Sequence, residues 1–102
     1  MPVNKIIEVN LISATVTYDT MGVPTTTEVK TSRIGNYRSI SAQEFYRAGM
    51  MGLKPDFIVD LWASEYSGEV RLEVNNVRYI IYRSYFTDSG RVELYCQKDG
   101  GA

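Results

Sequence analysis

Apolar and polar residues alternate along most of the chain, and a period of two predicts half-buried β-strands. The alternation is cleanest where Val70, Leu72 and Val74 share one face and Glu69, Arg71 and Glu73 the other. Asn75-Asn76, which tolerate positive φ, then predict a hairpin turn into Val77–Phe86, read as the longest strand. Residues 87–90 turn the chain again, into a strand over 91–97. Keeping the phase predicts that Val70, Leu72, Val74, Tyr79, Ile81, Val92, Leu94 and Cys96 are largely buried. Residues 98–102 are expected to fray.

Earlier in the chain the pattern is less regular. Residues 57–63 form a strand with Phe57, Val59 and Leu61 on one face, followed by a turn over 64–68. Residues 5–19 alternate but change phase: Ile7, Val9 and Leu11 share one face, Ile12, Ala14, Val16 and Tyr18 the other. A bulge or bend near Leu11–Ile12 would bring both sets to one core. Residues 25–33 are more polar and suit an edge strand or pairing with another subunit. The two strands read as a long hairpin with a loose tip. There Thr20, Met21, Gly22, Val23 and Pro24 form a turn-rich connection and a candidate contact loop. Gly35-Asn36 predicts a kink or bulge before Tyr37 to Ile40.

One segment departs from the strand pattern. Ser41 followed by Glu44 is a capping-box signature, in which the hydroxyl takes the N–H three residues on and the carboxylate reaches back. Phe45, Ala48 and Met51 follow at helical spacing and read as the cap of an open barrel end. Gly49 and Gly52 weaken the helix, and Pro55 bars its continuation. The predicted fold is mainly β: a small antiparallel barrel or sandwich of about five to seven strands. It carries one short α-helix near residues 41–51, in a single domain covering residues 1–102.

Composition narrows the chemistry. The chain of 102 residues is 44% hydrophobic and 23% charged, ordinary values for a folded domain. A net charge of −1 gives no electrostatic footprint for gripping nucleic acid. No apolar run is long enough for a transmembrane helix, and the start does not read as a signal peptide. With no histidine, the commonest general base and metal ligand are missing, and no phosphate-cradling glycine loop occurs. Asp56 with Asp60, and Glu65 with Glu69, read as solvated carboxylates better than as acid–base pairs. No catalytic, cofactor-binding or metal-binding residue is therefore assigned, and the chain is not read as an enzyme. Cys96, the lone cysteine, reads as an inert buried thiol suited to a reducing compartment. Arg78, Arg83 and Arg91 are expected to pair with Glu69, Glu73 and Glu93 across strands. Trp62 with Tyr66 suggests a stacking platform, but reads better as core rim or subunit contact. Eight tyrosines in so short a chain suit protein–protein contact.

An ordered set of residues resembles a known family. Ser39, Ser41, Glu44, Phe45, Tyr46 and Ala48 are followed by Gly52-Leu53-Lys54-Pro55, then Glu65, Tyr66, Gly68 and Glu69, then Val77, Tyr79, Ile81, Arg83 and Tyr85. This set, covering roughly residues 29–97, is similar to the head-closure proteins of tailed bacteriophages, also called head–tail adaptors or stoppers. The resemblance implies a structural protein of the virion neck that forms a ring under the portal, closes the DNA exit channel after packaging and presents a docking surface to the tail. It implies a channel or gate segment containing Ser41, Glu44, Phe45, Tyr46, Arg47, Met50, Met51, Lys54 and Pro55. The implied partners are the portal or adaptor ring, the tail-completion proteins and further copies of the chain, weakly associated or monomeric when free. Double-stranded DNA would pass without sequence recognition, and neither a cofactor nor a membrane is involved. Assembly would take place in the host cytoplasm. The alternative from the residues alone is an OB-like module for single-stranded nucleic acid, or a protein adaptor.

Overall fold

The computed structural model describes residues 5–99. In chain order it contains β1 (Lys5–Tyr18), β2 (Pro24–Ser39), α1 (Ala42–Gly49), β3 (Pro55–Trp62), a 3₁₀ turn (Ala63–Glu65), β4 (Arg71–Val74), β5 (Val77–Phe86) and β6 (Arg91–Lys98). The strands close into an antiparallel barrel in the order β1-β2-β3-β6-β5-β4, with β4 returning to β1. Closure removes the exposed sheet edges of an open sheet. Inside are Val9, Leu11, Phe57, Val59, Leu61, Leu72, Ile81, Val92, Leu94 and Cys96. Phe57, stacked on Tyr37 at 5.3 Å and edge-on to Tyr79 at 4.7 Å, plugs one end. The helix residues Phe45 and Met51, expected to cap an open end, are instead exposed.

The β1–β2 hairpin outruns the barrel. Its register is unbroken from Lys5↔Tyr37 to Tyr18↔Pro24, so the bulge expected near Leu11–Ile12 is absent. The phase change has another cause: the strand leaves the barrel there. Val9 and Leu11 point into the core, Ile12 is buried on the opposite face beside Ser67 to Val70, and Ala14, Val16 and Tyr18 are exposed on a projecting arm. β1 meets β4 only through Asn10, Leu11 and Ile12, and β2 meets β3 only through Asn36 to Ser39. Among the described residues, no other strand pairs with either edge of the intervening ribbon. Lys30–Glu73 and Glu28–Arg78 ion pairs cross β1 and brace its base. At the tip the Asp19 carboxylate accepts the N–H groups of Met21 and Val23 at 2.8 and 2.9 Å, and Gly22 adopts φ +80°. The tip is thus a tight Asx-type turn, not a loose one. β2, with 16 residues, rather than β5, is the longest strand.

Gly35 lies within an uninterrupted β2 and makes no kink or bulge. An added Cβ there would meet Leu61 Cδ2 at 2.6 Å, Val59 Cγ2 at 2.7 Å and the Asp60 carbonyl at 2.8 Å. Glycine is needed because the backbone of β2 passes directly over the inward side chains of β3.

In the second half of the chain Asn75 and Asn76 turn with φ of 51° and 65°, as a type I′ hairpin requires. Leu72, Ile81, Val92, Leu94 and Cys96 are buried, while Val74 and Tyr79 are half-buried against the core. Val70 departs from the expectation at 58% exposed, because the ladder starts at Arg71 and Val70 precedes it. Burial pushes the Cys96 thiol up, and the thiol donates to the Leu94 carbonyl at 3.5 Å. Lys98 does not fray but pairs with Tyr79, and Asp99 bonds the Arg78 carbonyl and Arg71; residues 100–102 lie outside the described residues. Leu72→Ala is expected to cost about 2–5 kcal/mol in a chemical melt, and Gly35→Ala about 1–3 kcal/mol through overpacking. A wild-type midpoint for either would contradict this packing.

Candidate functional site

The segment after β2 is built around Glu44. The Ser41 hydroxyl accepts the Glu44 N–H at 3.2 Å, so half of the capping box forms. The other half does not: the Glu44 carboxylate turns to the barrel instead of to the Ser41 N–H. It accepts Arg47 Nη2 on both oxygens at 3.1 and 3.0 Å, Arg83 Nη2 at 3.0 Å and the Tyr82 hydroxyl at 2.9 Å. Only 7% of Glu44 is exposed. Together with Ala48, one turn on, it forms the buried face of α1, which lies against the outer face of β3. A carboxylate thus occupies a position where a helix this short would ordinarily place an apolar anchor.

A bulge in β5 supplies two of the partners. The β5–β6 register shifts between Ile81 and Arg83, inserting Tyr82 so that both Tyr82 and Arg83 reach Glu44 while Ile81 stays in the core. Arg38, Ile58, Tyr95 and Arg83 are successive register partners across β2, β3, β6 and β5, forming one outward row beside the helix. The Arg83 guanidinium lies 4.1 Å from the Tyr95 ring centroid. Burial, and then the hydrogen bond to Glu44, push the Tyr82 hydroxyl well above the usual phenol range, so it stays a donor. Between row and helix lies a cleft of about 650 Å³.

The gate residues implied by the resemblance fall into two groups. Phe45, Tyr46, Arg47, Met50, Met51 and Lys54 are exposed, as is the Ser41 cap, whereas Glu44 and Pro55 are buried. Pro55 opens β3, and the Lys54 N–H donates to Gln97 Oε1 at 3.0 Å. The helix closes with Gly52 N–H on the Gly49 carbonyl and Leu53 N–H on the Ala48 carbonyl, Gly52 having φ +80°. That is a Schellman closure, so Gly52 sits outside the helix as its left-handed cap. Thr20, Met21, Gly22, Val23 and Pro24 are all exposed at the tip of the arm. The 16 residues of β2 separate the tip from the helix, on the order of 50 Å of extended chain. The two candidate contact regions are not brought together.

Sequence reasoning missed Arg38, Tyr82, Arg83 and Tyr95 as neighbours of the helix. One signal was available: Phe57-Ile58-Val59 breaks the alternation with three apolar residues in succession, marking a strand covered on both faces. The expected pairing of Arg78, Arg83 and Arg91 with Glu69, Glu73 and Glu93 also fails. The actual carboxylate partners are Glu28, Glu44 and Asp60, with Glu73 taken by Lys30 and Glu93 by Arg38. Trp62 is 54% exposed, with Arg91 over its ring at 4.5 Å. Among the described residues no three His, Cys, Asp or Glu side chains cluster as a metal site, and no helix is long and apolar enough to cross a membrane. No family model matches the chain, and no curated protein matches it.

Glu44→Gln keeps the shape of the side chain but removes the charge shared by two arginines. It is expected to cost about 1–3 kcal/mol, and hydrogen exchange should show the amides of α1 losing protection while β3 and β6 retain theirs. Unchanged exchange in α1 would mean that Ala48 alone holds the helix.

Proposed function

We propose that this chain is a head-closure protein of a tailed bacteriophage or prophage, assembling as a ring beneath the portal, closing the DNA channel and presenting a surface to the tail. The observation that carries the reading is a closed barrel bearing two separate candidate contact elements. One is a bare β-ribbon arm at one end; the other is a short helix held at its surface by polar contacts. The arm exposes Val16, Tyr18, Met21 and Val23 and, among the described residues, leaves strand edges unpaired for neighbouring chains. The helix turns Phe45, Tyr46, Met50 and Met51 outward, an apolar face that suits re-packing against neighbours in a ring. In a cyclic assembly one copy of the 41–55 segment per subunit would surround the channel, and multiplicity would compensate for weak individual contacts. The partners in this reading are the portal or adaptor ring, other copies of the chain and a tail-completion protein, met in the host cytoplasm and retained at the virion neck.

A single-stranded nucleic-acid module draws on the exposed Trp62, but Asp60 already holds Arg91, the cation on that ring. Binding of single-stranded DNA that falls steeply with salt would favour that alternative.

Gly49→Ala tests the gate. Gly49 is helical, and an added Cβ meets nothing within 4 Å, so alanine stiffens the helix by about 1 kcal/mol. Gly52→Ala is unsuitable because of its positive φ. Heads assembled without the protein should lose packaged DNA and fail to join tails, and heads carrying Gly49→Ala should leak. Heads that retain DNA and acquire tails without the protein would overturn the proposal.

A further inference from the structure

The cleft beside α1 carries more hydrogen-bond donors than its own carboxylates can satisfy. Arg38, Arg47, Arg83 and Glu44 line it, and the ion pairs that extend from Arg38 add Glu93, Asp60 and Arg91, four cations against three carboxylates. The resident acceptors are already occupied. Glu44 takes Arg47, Arg83 and Tyr82; Glu93 takes Arg38 and Tyr95; Asp60 takes Arg91 and Asn36. The donors are not. Arg38, Arg47 and Arg83 each donate only through Nη2 among the described residues, and the buried Nε–H groups of Arg38 and Arg83 make no hydrogen bond, Arg38 Nε lying 3.9 Å from Asp60 Oδ2. Three guanidinium groups therefore line one cleft, with Ile58 and Tyr95 as its apolar floor.

We propose that this cleft binds one carboxylate side chain presented by a protein partner. A single negative charge balances the surplus, and the planar guanidinium fork matches a planar carboxylate. The Ile58–Tyr95 floor accommodates the methylene stem of an aspartate or glutamate. Nucleic-acid phosphate fits less well, because the chain as a whole carries a net charge of −1. The inference stands independently of the head-closure reading, since it rests on donor and acceptor balance in the free subunit.

The test is a titration of the ¹⁵N-labelled protein with N-acetylglutamate amide, following the Nε–H signals of Arg38, Arg47 and Arg83, with sodium chloride and inorganic phosphate run at matched ionic strength. Saturable shifts of these signals with the glutamate derivative, absent with chloride, are expected. Arg47→Gln removes the surplus charge without touching the Arg83 and Tyr82 contacts to Glu44, and should weaken binding about tenfold. Glu93→Gln raises the surplus and should tighten binding. The folded dispersion of both variants' spectra shows that the barrel is intact. Equal shifts with chloride, or binding that ignores both variants, would overturn the proposal. Saturation by phosphate alone would overturn the carboxylate assignment in favour of a phosphate ligand.

Discussion

Closure of the barrel rests on a ladder three residues long, in which Asn10, Leu11 and Ile12 lie opposite Glu73, Leu72 and Arg71. β4 has only four residues, so it can hold β1 no further. Below the ladder, β1 and β2 belong to the barrel and contribute Val9 and Leu11 to its core; above it they have only each other. A two-stranded ribbon with both faces in solvent has little to stabilise it beyond its own ladder. This arm is held by continuity with the barrel, by Thr15 opposite Thr27 and Thr17 opposite Thr25, and by the Lys30–Glu73 and Glu28–Arg78 pairs at its base. Ion pairs at a surface are screened by solvent and add little stability, so continuity with the barrel and the arm's own ladder hold it. The short closing strand is thus the reason that the arm projects at all.

At the other end of β2 the chemistry changes from apolar to polar. α1 has eight residues, too few to be stable alone, and buries only Glu44 and Ala48. Its attachment to the barrel is therefore largely polar: beside the buried Ala48, the Glu44 carboxylate holds Arg83 and the Tyr82 hydroxyl of β5, while Arg47 pairs with Glu44 within the helix. Such a contact differs from a packed apolar face in how it can be undone. A leucine pulled from a core leaves a cavity, whereas Glu44 and Arg83 can be rehydrated on parting, because the Arg83 side chain is already 38% exposed and Glu44 keeps Arg47 on its own helix. None of the barrel-core side chains takes part in these polar contacts, so the proposed gating requires no repacking of the core.

Much of this architecture could be read from the chain. Alternation placed β5 and β6 within one residue and β3 and β4 within two, and Asn75-Asn76 gave the tight hairpin because the residue types limit which turns can form. What escaped depends on neighbours distant in sequence. The phase change at Ile12 looked like a bulge, but only the length of β4 reveals it as the exit from the barrel. Gly35 looked like a kink, but its cause lies in Leu61 and Val59 on another strand. Glu44 fitted a local capping rule, yet two arginines, one of them 39 residues away, compete for the same carboxylate and win. Local rules located the helix start correctly through Ser41 and misdirected the side chain that docks it.

We propose that one closed barrel presents a projecting arm and a releasable helix to a ring of its own copies. Electron cryomicroscopy of the assembled neck, compared with the free subunit, addresses it directly. The account predicts an unchanged barrel, arms in contact with neighbouring chains, and residues 41–55 moved off β3 towards the channel with Glu44 parted from Arg83 and Tyr82. An assembled ring in which α1 remains docked on β3 with the Glu44 contacts intact would contradict it.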